Sequence, residues 1–139
     1  LHSRAAPPAA ESLHDRLHRT LDLAPDQDAR LHAIEAAFAS EKARLEAEMR
    51  AANRELADAI TAGKSYTPEV PAAIDHFHMA LGALKKATVE HVFDMRAILT
   101  PEQQAMFDAE VRAALLAAGS KAEASDGAAT ERAHAPSAN

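Results

Sequence analysis

Five side chains in this sequence carry chemistry that a helical scaffold could focus on one ion. His14 and His18 stand four positions apart in Leu13-His14-Asp15-Arg16-Leu17-His18, and His91 and Met95 repeat that spacing in His91-Val92-Phe93-Asp94-Met95. Helical residues four apart lie one above the other, roughly 5–6 Å apart at Cβ, so each pair can reach a single cation. Glu35, beside Ile34, adds a carboxylate. Imidazole suits zinc, copper, iron and nickel, while carboxylate accepts harder ions. Three imidazoles, one carboxylate and one thioether, with Glu35 bidentate or a water added, bring six-coordination within reach. Structural zinc sites usually stop at four ligands. Geometry therefore favours nickel or cobalt, although zinc or copper can also bind, because intrinsic affinity alone favours copper. No open position stands next to a general base, which argues against hydrolysis.

Singly, each of these residues has a plainer reading. A lone pair of histidines four apart is about as often surface as site. His91 lies on an apolar stripe, where a buried, hydrogen-bonded histidine is ordinary, and Met95 there is more often a gap-filler than a ligand. Glu35 reads alone as a solvated edge carboxylate. Together the plain readings need several unrelated accidents of register, so the site is preferred. His76 and His78 are two apart and point away from each other, which makes chelation improbable. His32 is near the site in register, and Met106 reads as core. Glu41, Arg44, Glu48 and Glu55 read as a solvated face with local ion pairs.

The elements that must position the five residues are helices. Residues 1–10 lack periodicity and read as a tether, and a short helix follows from about Glu11 to Leu21. Pro25 suits the first turn of the next helix. That helix carries Leu31, Ile34, Phe38, Leu45, Met49, Ala52, Leu56 and Ile60 at three- and four-residue steps or their sum. Gly63 is read as its C-terminal cap. Thr67-Pro68-Glu69 starts a third helix with the stripe Val70, Ile74, Phe77, Leu81, Leu84, Thr88, His91, Met95, Ile98. Thr100-Pro101-Glu102 opens a fourth, expected to stop at Gly119. Residues 119–139, rich in Ala, Ser and Glu, read as a disordered tail. The expected organisation is a helical metal-sensing domain over residues 11–118.

Two long helices joined by a short loop pack antiparallel, so facing positions should have numbers summing to about 130. Around the turn at 22–25 the sum should be about 48. These sums place His91 and Met95 near 35–39, and His14 and His18 near 30–34, with Glu35 close to both. The expected fold is all-α: a four-helix hooked hairpin in which short first and fourth helices fold back at the open end of a long antiparallel pair.

Composition excludes several functions. The net charge is −6, from 15 Lys and Arg against 21 Asp and Glu, and the basic residues are scattered. Without a Lys/Arg stripe to displace counterions, nucleic-acid binding is not expected. The absence of cysteine removes disulfides, thiolate zinc sites and thiol catalysis. No nucleophile motif, phosphate-binding glycine loop or carboxylate pair appears, so the chain reads as no enzyme. No apolar run has signal-peptide or membrane-spanning length.

The stretches LHDRLH (13–18), AIEAAFA (33–39), RAANRELADAI (50–60) and ATVEHVFDMRAIL (87–99) resemble the periplasmic nickel/cobalt resistance sensors of the CnrX/NccX type. The similarity covers roughly residues 11–118, with matching spacing between segments. The resemblance implies the same five metal ligands, namely His14, His18, Glu35, His91 and Met95. It also implies a helical homodimer held in the periplasm by an N-terminal inner-membrane anchor, expected upstream of Leu1. Metal occupancy would be relayed to a membrane-bound anti-sigma factor that controls resistance genes. A second reading stays open. Leu99-Thr100-Pro101-Glu102-Gln103 resembles the LTPEQ element of periplasmic metal-responsive chaperones of the CpxP/Spy/ZraP type, although it also has a simple capping explanation.

Overall fold

Leu23-Ala24-Pro25-Asp26-Gln27 and Leu99-Thr100-Pro101-Glu102-Gln103 are two versions of one helix-starting phrase. In a computed structural model, which describes residues 13–134 and the side chains of 15–119, each phrase opens a long helix. Proline takes the first helical position, where its missing N–H costs nothing, and glutamine follows two residues later. Gln27 Oε1 accepts the Ala24 N–H at 2.9 Å, and Gln103 Oε1 accepts the Thr100 N–H at 3.0 Å. Thr100 completes a reciprocal cap, its hydroxyl accepting the Gln103 N–H at 3.3 Å. The amide nitrogens reach further: Gln27 Nε2 donates to the Ile98 carbonyl at 3.0 Å and Gln103 Nε2 to the Asp22 carbonyl at 3.1 Å. In the sequence, alanine at position 24, where the second phrase has Thr100, disguises the first copy.

Four helices and no strand make up the described residues: α1 (Leu13–Thr20), α2 (Pro25–Gly63), α3 (Glu69–Ala97) and α4 (Pro101–His134). The fold is all-α, as expected. None of these helices is long and apolar enough to cross a membrane. The chain divides into two compact units.

One unit, Ala24–Leu99, is the α2/α3 hairpin. Gln27 meets Ile98, Glu35 meets His91, and His76 lies between Glu48 and Glu55. These pairs place the two helices antiparallel, within about a turn of the expected register. The seam differs from the expected stripe in one respect. Ala52, Ala73 and Ala80 are buried, whereas Leu81 and Ile60 are exposed. Val70, Ala73, Phe77, Ala80, Leu84 and His91 follow the three–four alternation, while Ile74, Leu81 and Thr88 sit one position off it. The large residues drew the sequence stripe, but alanine is what lets two long helices approach closely.

The turn between α2 and α3 also departs from expectation. Gly63 is the last residue of α2, and the left-handed position falls on Lys64, with φ 55 and ψ 15. The Lys64 N–H closes the helix on the Ile60 carbonyl at 3.2 Å. Gly63 is needed for clearance, because a Cβ there would lie 2.9 Å from Thr67 Cγ2.

The other unit joins α1 to α4. Among its described residues the buried apolar side chains are Leu17, Leu21 and Phe107, and Arg16 Nη1 pairs with Glu110 Oε2 at 3.2 Å. Met106, expected in the core, is half-exposed. It stands beside Phe107, and Phe107 takes the buried position. The expected stop at Gly119 is also corrected, since α4 runs on to His134. A helical glycine costs only about 1 kcal/mol against alanine, and the Ala, Leu, Lys and Glu around it favour continuation. The expected tether at residues 1–10 lies outside the described residues.

Candidate metal centre

The C-terminal half of α3 buries two heteroatom-bearing side chains on one face, His91 at 8% exposure and Met95 at 4%. A histidine that far from water needs partners for both ring nitrogens. Nε2 has one neighbour of opposite charge type, Glu35 Oε1 of α2 at 3.2 Å. Nδ1 is buried with no hydrogen-bond partner among the described residues. An unsatisfied buried polar atom of this kind costs about 1–3 kcal/mol, so its retention calls for an explanation. The imidazole plane is fixed by Phe38 of α2, stacked at 4.2 Å between centroids and 6° between planes.

This arrangement suits a cation. A nitrogen and an oxygen bound side by side to one ion, each at about 2.0–2.2 Å, lie about 3 Å apart. Nε2 of His91 and Oε1 of Glu35 have that separation. Met95 stands one turn along the same helix, within the reach that helical spacing allows for a shared ligand. The Glu35 side chain keeps 25% of its surface exposed, so the pair is open to ions from solvent.

His91 and Phe38 also line a groove of about 400 Å³ between α2 and α3, whose carboxylates are Glu41, Glu90 and Asp94. Arg44, hydrogen-bonded to Glu41 at 2.6 Å, holds that carboxyl below the usual carboxylate range. Acidic walls raise the local cation concentration.

Of the five residues singled out from sequence, the hairpin brings Glu35 and His91 together and buries Met95 a turn away. His18 is half-buried on α1, in the other unit. The side chain of His14 lies outside the described residues. His32 is turned to Asp28 on its own helix, with Nε2 at 3.4 Å from Oδ2.

Sequence reasoning missed the role of His76. Its two ring nitrogens lie 2.9 Å from Glu55 Oε2 and 2.9 Å from Glu48 Oε2. Both carboxylates had been assigned to local pairs along α2. The hairpin sum of about 130 was the signal available, for it sets position 76 opposite 54, between the two glutamates.

Comparison with known proteins places the chain among heavy-metal resistance proteins. A family model described as heavy-metal resistance matches residues 1–106. The nickel and cobalt resistance protein CnrR of Cupriavidus metallidurans is 42% identical over 96 residues, which cover 69% of this chain and 65% of that relative.

Proposed function

Since this chain belongs to the heavy-metal resistance family and has a role in metal resistance, we propose that it is a non-enzymatic sensor of nickel or cobalt. The observation that carries the reading is His91, buried, stacked on Phe38 and holding Nε2 3.2 Å from Glu35 Oε1. Glu35, His91 and Met95 are the hairpin's share of the proposed ligands. His14 and His18 are the others, proposed on their one-turn spacing and on the sequence resemblance. When bound, the ion supplies the positive charge that lets a carboxylate, imidazoles and a thioether share one coordination shell.

The chain's own residues divide the work. Glu35 supplies the charge that offsets the cation, and Phe38 holds the His91 ring in one plane. Met95 adds a soft donor that nickel and cobalt accept and that zinc, content with four ligands, need not engage. Occupancy is relayed, in this proposal, through a periplasmic homodimer to a membrane-bound anti-sigma factor. The name of the relative, a nickel and cobalt resistance protein, supports the choice of metal.

Titration calorimetry with nickel, cobalt, zinc and copper tests the proposal. About one ion per chain should bind, and His91→Ala should weaken binding by more than the roughly 10–100-fold that loss of an outer-shell partner typically costs. Met95→Ala should weaken nickel and cobalt more than zinc. Binding that survives His91→Ala would overturn the site. Absence of binding, with suppression of client aggregation by the purified chain, would move the function to a chaperone.

A further inference from the structure

The bridge at His76 does not involve the metal centre and carries a property of its own. Glu48 and Glu55 stand seven apart on α2, two turns along one face, with the fully buried Ala52 between them. On α3, Ala73 and Ala80 flank His76 and are buried too. This run of small side chains brings the helices close enough for a short imidazole to span both carboxylates, each at 2.9 Å.

A carboxylate only accepts hydrogen bonds, and a neutral imidazole has one N–H donor and one acceptor. A neutral His76 can satisfy only one of the two glutamates and must point a lone pair at the other. The doubly protonated ring satisfies both. We propose that His76 is a proton-operated latch, clamping α3 to α2 through Glu48 and Glu55 when its ring carries two protons and releasing one clamp when it loses one.

The charges around the ring agree with this assignment. Within the hairpin, α2 is the element packed against α3, and the groups it turns to His76 are Glu55 and Glu48. Arg44, one turn before Glu48, is engaged with Glu41. On α3 itself, Ala72, Ala73, Met79 and Ala80 occupy the positions three and four away and carry no charge, and the adjacent titratable residues are Asp75 and His78. Hydrogen bonding to Glu55, then to Glu48, raises the His76 pKa above the ordinary histidine value. A raised folded-state value places the stabilisation fully below the unfolded-state pKa, and it is lost as pH rises through the folded-state pKa. All three side chains are a third to a half exposed, so salt should weaken the latch.

The test is an NMR titration of ring-labelled histidines in the full chain with chelator present, beside a Glu48→Gln/Glu55→Gln variant and a His76→Gln variant. His76 should titrate above the ordinary value of about 6.5 and fall back toward it when both glutamates are replaced. The urea midpoint of the parent should drop between about pH 6 and pH 8, more than that of His76→Gln. Titration of His76 at or below the ordinary value would overturn the latch. So would a constant midpoint difference between parent and His76→Gln across that window.

Discussion

A methyl group on Gly63 would collide with the Thr67 methyl, whereas the left-handed backbone next to it belongs to a lysine. The two positions have opposite needs. Lys64 carries a Cβ in a region that disfavours one by roughly 1 kcal/mol. Lys64→Gly should therefore raise stability by about 0.5–1 kcal/mol, and Gly63→Ala should lower it by at least as much, read from urea midpoints. A destabilised Lys64→Gly would mean that the flexibility added to the unfolded chain outweighs the relieved strain. The sequence misled at this turn because glycine usually announces a left-handed cap, and clearance for a side chain four residues later leaves no local mark. The metal-ligating types were legible for the opposite reason: His91 and Met95 declare their chemistry and their shared helix face by spacing alone.

At the level of elements, the helices were legible and their rotation was less so. The limits of α2 and α3 follow from proline at the start, glycine near the end and sustained apolar periodicity, and Pro25–Gly63 is where those signals place it. The seam was read from the largest side chains, which put Leu81 inside and overlooked Ala80. Ala52→Leu should consequently cost about 1–3 kcal/mol by forcing α2 and α3 apart. Leu81→Ala should change stability by less than about 0.5 kcal/mol, being a surface change to a better helix former. Thermal unfolding followed by circular dichroism separates the two, and equal losses would show that the seam lies where the large residues suggested. Gln27 escaped sequence reading because its value lies in the Ile98 carbonyl, a partner that only the closed hairpin provides.

For the whole molecule, the all-α class and the antiparallel hairpin were readable because two long periodic segments joined by a short turn have one economical packing. The facing of His76 with Glu48 and Glu55 follows from the same register, yet a charge on a helix surface gives no sign of whether its partner is local or across a seam. Hydrogen exchange of the metal-free chain gives a molecule-wide check. Amides near Ala52 and Ala80 should exchange slowest, and those near Glu35 and His91 faster, with metal slowing the latter. A reversed gradient would contradict the assignment of the alanine seam as the firmest part of the hairpin.

The turn spanning 64–68 has a kinetic consequence as well. Joining α2 to α3 there, it gives the contacts nearest it the smallest sequence separation, so they cost the least loop entropy to form. Folding of the hairpin should nucleate at that end and zip outward, passing His76 before it reaches His91. Glu35 and His91 are then among the last to engage, and a cation captured by them would act on the final stretch of the zipper rather than on its nucleus.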